Sequence, residues 1–124
     1  MEAKAILRNC PLSPRKMRLV ADVVRGQRVE LALNILQWNQ KPTYAIYLSK
    51  LIKSAIANWG QSNTGERIED SNLFVKSIMV DGGMVAKRLR TAPQGRGHRQ
   101  RKRSNHVTIV IDSLKKNEVE TVNE

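Results

Sequence analysis

Leu73-Phe74-Val75-Lys76-Ser77-Ile78-Met79-Val80, then an acid-free basic stretch from Lys87 to Arg103, then Val107-Thr108-Ile109-Val110-Ile111: the order of these three segments decides the fold. The outer two are rich in β-branched and apolar residues and read as strands. The middle one holds eight cations in 17 residues (Lys87, Arg88, Arg90, Arg96, Arg99, Arg101, Lys102 and Arg103). Being internal, it is not a loose basic tail. If Val80 pairs near Val107, the midpoint of residues 81–106 falls between Pro93 and Gln94, where Pro93-Gln94-Gly95 supplies turn chemistry with Pro at i+1 and Gly at i+3. The reading is a symmetric β-hairpin whose arms, at about 3.3 Å per residue, reach on the order of 35 to 40 Å beyond a folded body. A lone two-stranded ribbon of that kind is marginal in water. It is expected to be ordered only when a partner surrounds it.

Working outward, the chain has 124 residues and a formal net charge of +11, from 22 Lys and Arg against 11 Asp and Glu. Removing the eight hairpin cations from the 22 leaves 14 against the same 11 acids, so most of the net charge belongs to one segment. Concentrated like charge repels itself until a polyanion screens it, and a phosphate-bearing partner is the economical explanation. The length suits one domain. We read it as a body of 1–80 and 107–112, an extended hairpin of 81–106 and a polar tail of 113–124.

Within the body, Ser13-Pro14 reads as a helix start and Gly26 as its stop, with Met17, Val20, Ala21 and Val24 on a buried stripe. Arg15, Arg18, Asp22 and Arg25 share another face. Weighed against a plain solvated face, the excess of cations there, with Lys16 and the nearby Arg8, favours a second phosphate-contact surface. A short helix follows with Val29, Ala32, Leu33 and Leu36 inward. A longer one begins near Pro42, carries Ala45, Leu48, Ile52, Ala55 and Trp59 inward, and is expected to end at Gly60. Residues 61–70 read as a polar loop and 2–8 as an edge strand. The fold class is therefore α+β: a small antiparallel sheet covered by three helices, with a long protruding basic β-hairpin.

The inventory for catalysis is thin. The single cysteine, Cys10, cannot form an internal disulfide and reads as a small buried side chain in a reducing compartment. With only His98 and His106 beside it, no spacing resembles a metal site, and we expect neither metal nor cofactor. The two histidines could in principle form an RNA-cleaving acid–base pair, but His98 lies near the proposed hairpin tip and His106 at its base, where it packs or contacts phosphate. The start of the chain lacks the uncharged apolar stretch of a signal peptide, and Lys50 and Lys53 interrupt the most apolar segment, so neither secretion nor a membrane partner is expected. Aromatic residues are only 4% of the chain, too few to make the sheet a stacking platform for single-stranded bases. Recognition is expected to run through phosphates, 2′-hydroxyls and RNA shape.

The chain resembles the bacterial L-twenty-two family of large-subunit ribosomal proteins. The likeness runs from about Ala3 to Ile111 and is carried by Lys16-Met17-Arg18-Leu19-Val20-Ala21-Asp22 with Arg25-Gly26, by Ala32-Leu33-Asn34-Ile35-Leu36, by Ser54-Ala55-Ile56-Ala57-Asn58, by Lys87-Arg88 and Gly95-Arg96, and by His106-Val107-Thr108-Ile109-Val110. Where the family usually reads Arg-Ala-x-Gly-Arg, this chain has Ala92-Pro93-Gln94-Gly95-Arg96. The resemblance implies a structural, non-enzymatic role in the cytoplasmic ribosome. In that role the protein binds large-subunit ribosomal RNA, supports assembly beside neighbouring ribosomal proteins, and sends its hairpin inward to line the exit tunnel of the nascent peptide. By carry-over, Lys87, Arg88, Arg90, Gln94, Gly95 and Arg96 form the tip group, and Arg99, Arg101, Lys102 and Arg103 lie against RNA on the returning arm. Arg8, Arg15, Lys16, Arg18, Arg25 and His106 complete the expected RNA-binding set. The rivals are a DNA-architectural protein, since a basic β-arm with Pro near its tip also suits a minor-groove wedge, and an RNA-processing enzyme. The first needs a large apolar dimer surface, and the three helices leave no surplus apolar face in this reading.

Overall fold

In the computed structural model, which describes residues 2–63 and 72–113, the two strands read from the sequence are one continuous ribbon. The elements are β1 (Ala3–Cys10), α1 (Pro14–Val24), α2 (Val29–Gln37), α3 (Pro42–Ser62), β2 (Leu73–Thr91), a single 3-10 turn at Pro93–Gly95, and β3 (Gly97–Ser113). The sheet is antiparallel in the order β1-β3-β2, and Val80 pairs with Val107 as the hairpin symmetry requires. Most of the loop expected over 61–70, and the tail beyond Ser113, lie outside the described residues.

The central strand buries every second residue: Asn105, Val107, Ile109, Ile111 and Ser113 point to the helices. Ala3 and Ala5 of β1 and Leu73, Val75, Ile78 and Val80 of β2 join them. The shift from odd to even positions in β2 comes from one extra residue between Val75 and Ser77, a bulge that restores phase with the core. Helix α3 lies across β1 and β3, α1 lies across β2, and α2 packs mainly on α3.

The expected α1 stripe of Met17, Val20, Ala21 and Val24 is the buried one. Ser13 occupies the N-cap with extended backbone but makes no side-chain capping bond, and Pro14 opens the helix. Gly26, at φ 80°, turns the chain out in the left-handed region that glycine tolerates. Gly60, in contrast, does not end α3, which continues to Ser62. Its backbone stays right-handed, and the stop comes at Asn63, whose N–H and side-chain amide both donate to the Trp59 carbonyl (3.0 and 3.1 Å).

An edge strand invites pairing with other chains unless its free groups are satisfied. Along the outer edge of β2, Gly26 N–H donates to the Val75 carbonyl (3.0 Å) and Val75 N–H donates to the Gln27 carbonyl (2.9 Å). Further along, the Arg25 guanidinium donates to the Ile78 carbonyl (3.0 Å), and that of Arg18 donates twice to the Val80 carbonyl (3.2 and 3.1 Å). Helix α1 and its exit loop therefore close the β2 edge of the body and leave the ribbon beyond it bare.

Candidate nucleic-acid interface

Beyond Gly82 a second bulge in β2 changes the register: Gly82 pairs with Asn105 and Val85 with Arg103, so one extra residue sits on β2. This joint is built from both ends of the chain. Asn105 is buried and donates to the Leu12 carbonyl (2.8 Å), pinning the loop after β1 to the sheet. His106 Nδ1 accepts from Asn9 N–H (3.1 Å), where β1 has its own bulge and Asn9 sits at φ 56°. The Ser104 hydroxyl donates to the Met84 carbonyl (2.6 Å). A Cβ on Gly83 would stand 2.6 Å from Ser104 Oγ and 3.2 Å from His106 Nε2, so glycine is required here by close approach. His106, expected among the RNA-contacting groups, is thus enlisted at the hinge of the ribbon.

From Val85↔Arg103 to Thr91↔Gly97 the two arms pair without interruption over about 20 Å. The alternation of a ribbon then sorts its cations. Lys87, Arg99, Arg101 and Arg103 share one face with Leu89, and Arg88, Arg90 and Lys102 share the other with His98. All are exposed. Lys87 faces Arg101 directly across the strands, a like-charge pair that opposes the ribbon's own closure. Arg99, Arg101 and Arg103 follow one another at about 7 Å, where each neighbouring pair repels by about 0.6 kcal/mol in water. With charge on both faces, only a polyanion that encloses the ribbon neutralises it.

At the apex, Gly95 N–H donates to the Ala92 carbonyl (3.2 Å) and Ala92 N–H donates to the Arg96 carbonyl (2.6 Å). This is the expected turn with Pro93 at i+1 and Gly95 at i+3, and it holds Gln94 and Gly95 both in the left-handed region (φ 68° and 75°). The tip group Arg88, Arg90, Gln94, Gly95 and Arg96 is therefore gathered at one end of the molecule. The sites assigned on the body are not gathered in the same way. Arg15 and Lys16 are exposed at the start of α1, and their side chains make no hydrogen bond or ion pair among the described residues. Arg18 and Arg25 spend part of their donors on β2, and Arg25 also pairs with Asp22. Arg8 is exposed on β1, the opposite edge of the sheet, on the face the helices do not cover.

His98 and His106 stand eight residues apart along β3, about 26 Å, which removes the acid–base pair. Among the described residues no group of His, Cys, Asp and Glu is arranged to hold a metal ion, and no helix is long and apolar enough to cross a membrane. Burial pushes the Cys10 thiol above its ordinary value, opposed by hydrogen bonding to the Leu12 backbone and the Asn105 side chain. It is a packed side chain, as expected.

The sequence reading passed over Trp38. Its side chain is 82% exposed, beside Leu19 (55%) and Val23 (48%). A signal was available: Trp38 falls off the stripe of Val29, Ala32 and Leu36 and so had no place in the core. The expectation that no apolar face is left over is corrected here: Leu19, Val23 and Trp38 are exposed around one groove, and no described element covers them.

A folded α+β body that holds out a ribbon carrying cations on both faces defines a protein of the nucleic-acid-clasping class rather than one with a catalytic cleft. Residues 5–112 match the family model described as Ribosomal protein L22p/L17e, and the chain belongs to that family of structural, non-enzymatic ribosomal proteins. It is 62% identical over 112 residues to the large ribosomal subunit protein uL22 of Flavobacterium johnsoniae, covering 90% of this chain and 81% of the relative. It is 55% identical to the uL22 proteins of Bacteroides fragilis, over 92% of this chain and 82% of the relative, and Chlorobaculum tepidum, over 92% and 95%.

Proposed function

We propose that this chain is a structural constituent of the large ribosomal subunit in the cytoplasm. On this reading its body and hairpin arms bind large-subunit ribosomal RNA and support assembly beside neighbouring ribosomal proteins, while the hairpin tip lines the exit tunnel of the nascent peptide. The observation that carries the reading is the ribbon from Val85 to Arg103, whose cations occupy both faces and are compensated by no acid of the same segment. Folded RNA can enclose such an arm on all sides. A duplex groove contacts one face and leaves the other charged, which disfavours the DNA-architectural reading. Arg99, Arg101, Lys102 and Arg103 serve the RNA walls, with Lys87 and Arg88 opposite them. Arg90, Gln94, Gly95 and Arg96 reach furthest from the body and are the groups that face the peptide.

The test is cosedimentation of the tagged chain with large subunits, followed by photo-crosslinking from a probe at position 94. A stalled nascent chain should be captured from position 94 and not from a probe at Glu30 on the body. Absence from large subunits would overturn the whole reading, and incorporation without any nascent-chain crosslink would overturn the tunnel assignment alone.

A further inference from the structure

Between α1 and the end of α2 lies a groove of about 390 Å³, with Leu19, Val23 and Ile35 forming its aliphatic wall and Trp38 standing at its rim. Asn39, Gln40 and Lys41 complete one end, and among the described residues no Asp or Glu lines it. One turn before Leu19 on the same side of α1 stand Arg15 and Lys16, both exposed. We propose that this groove takes an unpaired base of the ribosomal RNA, stacked on the Trp38 indole, with the flanking phosphates held by Lys41 and by Arg15 or Lys16.

Three observations favour this occupant. The indole is 82% exposed, in contrast to Trp59 at 1%, so Trp38 contributes nothing to the core that would explain so large an aromatic surface. A flat π-face beside amide side chains and cations is the combination that receives splayed-out bases, stacking the ring while hydrogen-bonding its edge. Lys41 is the charged side chain that lines the groove, Arg15 and Lys16 add two more cations on the same side of α1, and the one acid there, Asp22, is paired with Arg25, which leaves an excess of positive charge complementary to a phosphate chain. The site is separate from the hairpin and would anchor the body by stacking, where the ribbon works by charge. The proposal rests on the ribosomal RNA-binding reading above.

The two contributions separate by salt, because stacking releases no counterions while phosphate contact does. The experiment titrates transcribed bacterial large-subunit ribosomal RNA with the full-length wild type, Trp38→Leu and Trp38→Phe across a salt series. Trp38→Leu should weaken binding by roughly five- to 150-fold, the equivalent of 1 to 3 kcal/mol for one stacked base, with the salt slope unchanged. Trp38→Phe should retain most of the affinity, and acrylamide quenching of the wild-type exposed indole should fall when RNA is bound. If the wild type shows no salt-steep RNA binding, the underlying functional reading fails. If it binds steeply but Trp38→Leu binds equally well and RNA leaves the quenching unchanged, this proposal alone fails. A defect of Trp38→Leu seen only in assembled particles as loss of a neighbouring protein, or a concentration-dependent dimer of the wild type broken by Trp38→Leu, would give the groove to a protein and overturn the proposal.

Discussion

Replacing Gly83 with Ala should strain the joint between body and hairpin, and Gly82 provides the control one residue away. A Cβ at position 83 meets Ser104 Oγ at 2.6 Å, His106 Nε2 at 3.2 Å and the Ser104 backbone carbon at 3.2 Å, whereas a Cβ at position 82 meets nothing within 4 Å. Neither glycine has a positive φ, so both substitutions share the same small gain from a stiffer unfolded chain, and the difference between them isolates the clash. To make room, the Ser104 hydroxyl must leave the Met84 carbonyl, losing about 0.5 to 1.5 kcal/mol. Displacing that side chain from its rotamer, with the backbone pressed behind it, adds about 0.5 to 1.5 kcal/mol. Gly83→Ala should therefore be less stable than Gly82→Ala by about 1 to 3 kcal/mol, measured by urea denaturation. Adding Ser104→Ala should recover roughly half of the loss, since the Oγ contact is relieved and the backbone contact is not. Equal stability of the two glycine variants would show that the bulge is not closely packed and would refute the argument.

Four further outcomes are expected. Arg18→Met removes both guanidinium bonds to Val80 and should lower stability by about 1 kcal/mol, a modest figure because the side chain is exposed; an unchanged denaturation midpoint would contradict the edge-closing role. With six to eight cations on phosphates, log K for ribosomal RNA should fall against log salt with a slope of roughly −4 to −7, and a slope shallower than about −2 would remove the ribbon as the binding element. Deleting 85–97 takes no residue of the buried core, so the body should keep its stability within about 1 kcal/mol and still enter large subunits, whereas changing Arg99, Arg101, Lys102 and Arg103 together to Ser should weaken incorporation; the reverse pattern in quantified particles would invert the assigned roles. Because burial raises the Cys10 thiol above its ordinary value of 9.0, the contribution of Cys10 is complete below that value and lost as pH rises through the raised one. The stability advantage of wild type over Cys10→Ala should accordingly narrow above pH 9, and a pH-independent difference in denaturation midpoints would contradict it.

The sequence by itself determined what depends on local pattern. Runs of β-branched and apolar residues placed β2 and β3, helical spacing placed the α1 stripe, and Pro93 and Gly95 fixed the apex. Charge counting located the ribbon, because net charge within a contiguous segment is a property of composition. Only the tertiary structure decided the features that need two distant segments at known separation. A glycine such as Gly60 ends a helix only if its backbone turns left-handed, and continued packing of Trp59 against the core with capping by Asn63 held it helical instead. Whether Arg18 and Arg25 face solvent or the carbonyls of β2 was set by the sheet edge they lie against, some 53 to 62 residues away in sequence. His106 became a hinge residue through Asn9, and Trp38 was left exposed beside a groove lined by residues of both α1 and α2. Periodicity reports which residues of one segment share a face, and what that face meets is fixed only when the other segments close on it.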